Sequence, residues 1–280
     1  MPEYLPLVRI DSPEKLKQVF VDAITGHHWV WKASRVLHRD VSYGNIMFYR
    51  EKSASGEQKV VGVLADWDFA EEQTDEPVKA EDKRMAYEAG PDSARHQEVQ
   101  KRQKAKYRTG TGPFRSFELL CLSPPPAHLY RHDLESFFWV LAWFCAVFDP
   151  ILHTVGFVPA WHQSHLKSVG LAKREFLEVD SEFDRVCSKT HPTYKPVINA
   201  WVENLRIRMS DVKNHSALER EYLARYFKYL DRKGPRNSEV RAQIINEAHE
   251  EVIRARTKLN NLVTYEYFMT TFDLELEPLE

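Results

Sequence analysis

The sequence predicts a mainly α-helical fold of the α+β class with one small β-hairpin, and three observations carry this prediction. Beyond Arg131, five segments have apolar residues at helical spacing or on all sides. One further helix is predicted near the start of the chain. Between them, two β-rich runs at 45–50 and 59–66 flank the turn-forming residues SASGEQ, which is typical of a hairpin. The predicted order is helix, hairpin, a long charged stretch, and then helices to the end.

The first helix is predicted over residues 11–37. Asp11 or Ser12 is a suitable N-cap and Pro13 is well placed in the first turn. Gly26 is a candidate interruption. The apolar positions that follow a helical period are Leu16, Val19, Phe20, Ala23 and Ile24.

The most apolar part of the chain is Phe137–Phe148, within a helix predicted over 132–148. Its 12 residues are too few to cross a bilayer, which takes about 20. An all-round apolar helix of this length is typical of a domain core. The other predicted helices are 166–178, 194–209, 216–230 and 238–257.

Composition indicates a globular protein and limits its partners. The chain has 280 residues and is 43% hydrophobic and 29% charged, with 39 Lys and Arg against 41 Asp and Glu. A net charge of -2 gives no reason to expect nucleic acid or an anionic membrane as a partner. The three cysteines follow no disulfide or zinc spacing, and the first residues do not resemble a signal peptide. These features favour a reducing compartment, the cytoplasm or the nucleus.

The run LHRDVSYGN, residues 37–45, carries the first chemical signal. It fits the catalytic-loop pattern of protein kinases, in which His-Arg-Asp and four further residues precede an Asn. His38, Arg39 and Asp40 form the triplet, and Asn45 is the amide. A carboxylate must receive or orient the proton of the attacking hydroxyl, and an amide nearby must hold Mg²⁺ against the phosphates. This spacing therefore predicts a phosphoryl-transfer loop.

A second signal stands at the end of the hairpin, where an apolar run leads into Asp66-Trp67-Asp68. Phosphoryl transfer needs a carboxylate that joins Mg²⁺ to the phosphates, and Asp66 is the candidate. Trp67 is the expected apolar plug. Asp68 adds a second carboxylate, which either binds Mg²⁺ or repels the phosphates.

Residues 71–107 are charged and polar without a sustained apolar stripe, which indicates an inserted, mobile segment. The following run RTGTGPFRSFE, residues 108–118, stands where a kinase activation segment ends. Thr111 is expected near Asp40 and the acceptor hydroxyl. Glu118 is expected to form a structural ion pair with a downstream arginine, either Arg206 or Arg208.

The fourth signal is Asp133, in the run HDLES that opens the apolar helix. In kinases an acid at this place tethers the backbone of the catalytic loop. The residue is therefore predicted to be structural rather than catalytic.

These four elements, in this order, resemble the fungal-type protein kinase family, and the resemblance extends over the whole chain. It implies the C-terminal helical lobe of a protein kinase over residues 1–280, with ATP and Mg²⁺ as cofactors and a protein as substrate. By this resemblance Asp40, Asn45 and Asp66 carry the catalytic and metal-binding roles. The implied divisions are 11–37 (helix before the catalytic loop), 38–70 (catalytic loop and metal-binding hairpin), 71–118 (activation segment with charged insertion) and 131–280 (helical subdomain and C-terminal extension).

The chain also departs from the kinase pattern. Only 37 residues precede His38, and they leave no room for an N-terminal β-lobe with its Gly-rich loop and strand lysine. Ser42 stands where many serine/threonine kinases have a lysine. The N-terminal β-lobe is therefore expected to be absent, through truncation or through loss of catalysis.

Three functions remain open on this reasoning. The first is a serine/threonine protein kinase in truncated or inactive form. The second is a pseudokinase-like interaction module without catalysis. The third is a small-molecule phosphotransferase with a similar loop, against which the RTGT segment argues because it forms a platform for a peptide. The oligomeric state stays open.

Overall fold

A computed structural model describes residues 2–52, 58–73, 111–122, 126–231 and 238–274. Its longer helices are α1 (Pro13–Ser34), α2 (Phe117–Cys121), α3 (Tyr130–Val147), α4 (Leu166–Glu178), α5 (Asp180–Cys187), α6 (Glu203–Asp231), α7 (Ser238–Asn260) and α8 (Tyr265–Thr271). Its strands are β1 (Leu5–Pro6), β2 (Val36–Leu37), β3 (Ile46–Lys52), β4 (Gln58–Leu64), β5 (Glu71–Glu72), β6 (Phe148–Asp149) and β7 (Thr154–Val155). The fold is therefore mainly helical with small sheets, as predicted.

Helix α1 begins where the sequence indicates. The Ser12 hydroxyl accepts a hydrogen bond from the Lys15 amide at 3.2 Å, and Pro13 occupies the first turn. The helix ends three residues before the predicted boundary, because Arg35 adopts a left-handed conformation at φ 56°. Gly26 does not interrupt it.

The predicted hairpin is β3–β4, with Ile46 opposite Leu64 and Lys52 opposite Gln58. Strand β1 pairs with the other edge of β3, which makes a three-stranded sheet in the order β1-β3-β4. The hairpin packs against α1 at Gly62. A side chain there would place its Cβ 2.2 Å from the Val19 carbonyl oxygen, so only glycine allows this approach.

Helix α3 lies at the centre of the core, which confirms its prediction as a buried helix. All but two of its residues are buried, including Trp139 and Phe144 at no exposure. Aromatic contacts extend from it to the neighbouring helices. The Trp139 ring meets Trp161 edge-on at 5.3 Å and lies 5.8 Å from Phe176 of α4.

The C-terminal half differs from the prediction in its helix boundaries and in two added helices. The helices expected at 194–209 and 216–230 are largely one, because α6 runs without a break after a π-helical turn at Ile198–Val202. The polar run between them suggests a loop. However, the buried positions keep a helical period through it, at Leu205, Met209, Val212 and Ser216. Helices α5 and α8 were not predicted.

Residues 74–110, which hold most of the predicted charged insertion, lie outside the described part of the chain. Within the described residues the sheets have three, two and two strands, and none of them forms a kinase-type β-lobe. No helix in those residues combines the length and the apolar character that crossing a membrane requires.

Candidate active site

Asp133 anchors the backbone of the candidate catalytic loop, residues 37–45. Its carboxylate accepts hydrogen bonds from the His38 amide at 2.8 Å and the Arg39 amide at 3.1 Å. It also accepts from the Nε2–H groups of His27 at 2.9 Å and His128 at 2.8 Å. Because a carboxylate only accepts, both rings must carry the proton on Nε2. The geometry agrees with the predicted tether.

Two residues at the site hold left-handed backbone conformations. Arg39 has φ 68° and Asp66 has φ 63°, which non-glycine residues adopt at some energetic cost. Such strain persists where the surrounding structure fixes it, and it concentrates at functional sites. Both positions belong to the loops that the sequence singles out for chemistry.

The catalytic loop and the end of the hairpin are joined through His38 and Asn45. The His38 ring donates from Nε2 to the Ala65 carbonyl at 2.9 Å and accepts the Asp40 amide on Nδ1 at 3.2 Å. Burial lowers the pKa of His38, which agrees with this neutral tautomer. The Asn45 carbonyl accepts the Ala65 amide at 2.8 Å. These bonds hold Asp66, the next residue, beside the catalytic loop.

Asn45 and Asp66 carry the kinds of oxygen that a magnesium ion prefers. The Asn45 amide donates from Nδ2 to the Asp40 carbonyl at 2.8 Å, which leaves Oδ1 as an acceptor. The Asp66 side chain is exposed and accepts no hydrogen bond within the described residues. Mg²⁺ prefers such oxygen ligands and is usually held by one or two of them together with substrate phosphates. Asp68 is also exposed, two residues further on.

The described residues contain no group of three or more His, Cys, Asp and Glu side chains placed to hold a metal. A cation at Asn45 and Asp66 would therefore need oxygens from a bound phosphate. Ser42, 5% exposed, is itself buried.

Thr111 lies against Asp40, where the sequence predicts it. Its amide donates to Asp40 Oδ1 at 2.8 Å and its hydroxyl donates to the same oxygen at 3.1 Å. Asp40 is half-buried and Thr111 is exposed, and both bonds from Thr111 use Oδ1, so Oδ2 is not taken up by Thr111. A hydroxyl from a second molecule can approach the same carboxylate.

Arg39 pairs with Glu71, which lies in the short strand β5 opposite β2. The Arg39 side chain is 8% exposed and the Glu71 side chain 39%, so the ion pair lies at the edge of the site with its carboxylate open to water. It attaches the chain just beyond Asp66 to the catalytic loop.

The predicted partner of Glu118 was wrong. Its carboxylate pairs with Arg131 and His132 of α3 and accepts the Ser216 hydroxyl of α6. Arg206 instead pairs with Asp180 at 2.6 Å. Arg208 lies over the Tyr267 ring at 4.0 Å. Arg131, thirteen residues downstream, forms the ion pair with Glu118 because α2 lies beside the start of α3.

Four residues near the site were missed by sequence reasoning: His27, His128, Glu135 and Lys173. All four are buried or nearly so. Glu135 could have been found from the sequence, because an acid inside the most apolar helix needs a buried hydrogen-bond or charged partner. The two histidines have no motif of their own and become visible only through their contact with Asp133.

Comparison with known families agrees with this geometry. A family model described as fungal protein kinase matches residues 4–145, half of the chain. The matched range includes the catalytic loop, the hairpin and most of α3. None of the curated proteins compared with the chain is a match.

Proposed function

Because the chain belongs to the fungal protein kinase family, we propose that it carries the catalytic half of a site that transfers the γ-phosphate of ATP to a serine or threonine hydroxyl of a protein. The observation that carries the proposal is the contact of Thr111 with Asp40. The loop that holds Asp40 is bonded to the Asn45 side chain and, through His38, to Ala65, the residue before Asp66. Such a constellation suits phosphoryl transfer, which depends on positioning and on charge stabilisation.

In this proposal Asp40 orients the acceptor hydroxyl and receives its proton, while Thr111 holds one of its carboxylate oxygens. Asn45 and Asp66 would hold Mg²⁺. Bound Mg-ATP would supply the transferable phosphoryl group, and its Mg²⁺ would offset the negative charge of the phosphates. Arg39 and Asp133 keep the loop in its strained conformation through the bonds described above.

The 280 residues alone are expected to transfer phosphate slowly. They include no Gly-rich loop and no strand lysine to hold the phosphates. Loss of one preorganised donor typically lowers the rate by about 10²–10³. Solvent also reaches a phosphate that no second lobe covers, and this weakens the remaining charge interactions.

The test measures phosphorylation of a generic basic protein by the 280-residue chain and by a form joined at its N-terminus to a kinase β-lobe. We expect the joined form to be faster by about 10² or more. Asp40→Asn should remove the activity of both, and Asp11→Asn, at an exposed surface carboxylate, is the matched control. Equal activity of the two forms, or activity that survives Asp40→Asn, would contradict the proposal.

A second candidate is a pseudokinase-like interaction module. The buried Ser42, in place of a phosphate-binding lysine, favours it. The same experiment separates the two, because a joined form that binds Mg-ATP but transfers nothing indicates the module. A small-molecule phosphotransferase is disfavoured by the Thr111 segment, which suits a peptide platform.

We also propose an intracellular location, since Cys121, Cys145 and Cys187 are all free thiols.

A further inference from the structure

Three side chains form a buried polar cluster beneath the segment that carries Thr111. Glu135 and Trp139 lie one turn apart on α3, and Lys173 lies on α4. The Trp139 indole donates to Glu135 Oε1 at 2.9 Å, and the Lys173 ammonium lies 4.3 Å from the centre of the Trp139 ring. Lys173 and Trp139 are fully buried and Glu135 is 2% exposed. The indole therefore joins a buried cation to a buried anion.

The cluster contacts the segment at two main-chain atoms. Lys173 Nζ donates to the Arg115 carbonyl at 2.5 Å. The Phe117 amide donates to Glu135 Oε1 at 2.7 Å. These bonds bracket Ser116, which is itself fully buried. Because both use the backbone, they set the position of the chain whatever side chains it carries.

A rigid connection runs from this bracket to Asp40. A 3-10 turn spans Gly112–Phe114, with the Phe114 amide bonded to the Thr111 carbonyl at 3.0 Å. The Phe114 ring is buried against Trp143 at 5.3 Å. A shift of Arg115, directly after the turn, would therefore move Thr111, which directly precedes the turn and bonds to Asp40.

Two buried ionisable groups would be unfavourable here without such a role. Burial lowers the pKa of Lys173 and raises the pKa of Glu135, and the charge of each opposes the change in the other. Apolar residues of similar volume often stabilise a fold as well as a buried charged pair does. What apolar residues cannot supply is a donor for the Arg115 carbonyl and an acceptor for the Phe117 amide.

We infer that Glu135 and Lys173 are positioning residues, which hold the substrate-binding segment 111–117 in the place that sets Thr111 against Asp40. The catalytic part of this inference rests on the proposed function, whereas the positioning of the segment does not. The cluster acts from behind the segment and touches neither the acceptor nor the phosphate.

The first test measures amide hydrogen exchange in the 280-residue chain. Lys173→Met keeps the length and apolar stem of the side chain and removes the donor. Lys173→Met with Glu135→Gln also removes the buried charge and keeps an acceptor. Lys213→Met is the matched control, since Lys213 pairs with Glu178 at the C-terminal end of α4 and forms no hydrogen bond or ion pair with the segment in the described structure.

We expect exchange in residues 111–118 to become about tenfold faster in both Lys173 variants, with the α3 amides changed less than about twofold. The control should leave both regions unchanged. Unaltered exchange in 111–118, or an equal rise throughout the helices, would overturn the inference. If the single variant does not fold, the double variant decides. Failure of both to fold would also overturn it, since the cluster would then be needed for the whole core.

The second test uses the active joined form. A positioning role predicts that Lys173→Met raises the KM for the protein substrate about tenfold, with the KM for ATP changed less than about twofold. A merely structural role would lower the active fraction and leave both KM values unchanged, and this result would overturn the inference. If no form transfers phosphate, the proposed function fails, and the exchange experiment still decides on the positioning.

Discussion

At the scale of single residues, Asp133 shows how a buried carboxylate serves the site. Burial raises its pKa, but the hydrogen bonds and charge of His128 and His27 outweigh burial and hold that pKa well below its usual range. Its four hydrogen-bond donors satisfy both oxygens. The carboxylate can therefore stay ionised inside the core and fix the backbone of His38 and Arg39.

Asp133→Asn is expected to destabilise the protein by about 3–5 kcal/mol, the usual effect of breaking a buried charged network. The new amide presents an NH₂ group to atoms that are themselves donors, so at least one hydrogen bond is lost. Urea unfolding followed by circular dichroism measures the change. Asp11→Asn, at a carboxylate 44% exposed, should change the midpoint little. Equal effects of the two substitutions would contradict the tether.

At the scale of elements, two glycines have opposite roles. Gly26 lies inside α1, and apart from its chain neighbours and the backbone of its own helix turns no atom lies within 4 Å of where its Cβ would be. Gly62 lies in β4 where that strand crosses α1, and a Cβ there would overlap the Val19 backbone. Gly62 also donates its amide to Asp22 of α1 at 2.9 Å. The first glycine is replaceable, and the second is required by the packing of the hairpin on the helix.

Gly62→Ala is therefore expected to lower the free energy of unfolding by about 1–3 kcal/mol, because backbone must move to admit the methyl group. Gly26→Ala should raise it by about 0.5–1 kcal/mol, since alanine loses less conformational freedom in a helix. Chemical denaturation of the two variants in parallel gives both values. A stabilising Gly62→Ala would mean that the hairpin is not seated on α1 as described.

Local signals in the sequence were enough to predict several elements. Ser12 and Pro13 marked the start of α1, and the all-round apolar run marked α3. The helix predicted at 166–178 coincides with α4. The Asp40–Thr111 contact was also predicted, because the two motifs have fixed relations in kinases. Such features depend on neighbours in the chain or on a known motif.

Features that depend on distant contacts were not predictable. Helix α6 continues through 210–215 with Met209, Val212 and Ser216 buried, and the Ser216 hydroxyl bonds to Glu118 almost a hundred residues earlier. The partner of Glu118 was wrongly assigned for the same reason, since sequence gives no distance to Arg131. Lys173 reads as a surface residue until its burial against Trp139 is seen.

At the scale of the whole molecule, the C-terminal segment beyond the family match completes the core. Three apolar side chains at α8 are exposed by 1% or less: Phe268 and Met269 within the helix, and Phe272 directly after it. The Tyr265 ring stacks on His28 of α1 at 4.2 Å. The first and last helices of the described chain are thus in direct contact. The kinase-like part cannot bury its own surface without the final helices.

Ending the chain at Asn260 should therefore unfold it or leave a molten state. Each large apolar side chain contributes about 1.5–3 kcal/mol on burial, and three of them approach the total stability of a typical domain. Phe272→Ala is the milder form and should cost about 3–5 kcal/mol. Near-UV circular dichroism reports the packing in both cases. A shortened chain that keeps its near-UV signal would contradict this account.

The cluster around Glu118 links α2, α3 and α6 and makes the stability of the whole fold depend on pH. The His132 ring donates from Nε2 to Glu118 at 2.7 Å and accepts the Leu129 amide on Nδ1 at 3.1 Å. Both contacts are made by the neutral ring. Burial and the charge of Arg131 lower the pKa of His132 to about 4, although Glu118 acts in the opposite direction.

An unfolded histidine titrates near pH 6.5. Between about pH 6.5 and 4 the unfolded chain therefore binds a proton that folded His132 does not, and the free energy of unfolding must fall as the pH falls. The slope for one proton is about 1.4 kcal/mol per pH unit, or roughly 3 kcal/mol over this range. Burial lowers the pKa of His28 and His38 as well, so their contributions have the same sign.

The carboxylate of Glu118 acts in a lower range. Burial raises its pKa, but Arg131, His132 and Ser216 together hold it far below the usual value. Its contribution is present above its unfolded pKa, about 4.3, and is lost as the pH falls further. The two effects are therefore separable, with His132 dominating between pH 6.5 and 4.5.

His132→Gln tests this assignment, because glutamine keeps an N–H donor for Glu118 and does not titrate. Urea unfolding at half-unit steps from pH 7 to 4.5 should show a pH slope reduced by up to about 1.4 kcal/mol per unit relative to the parent chain. His165→Gln, at an exposed position before α4, controls for the loss of a histidine. A His132 variant that keeps the parent slope would show that this ring is already charged when folded, and then Glu118 and His132 would form an ion pair in place of the neutral hydrogen bond.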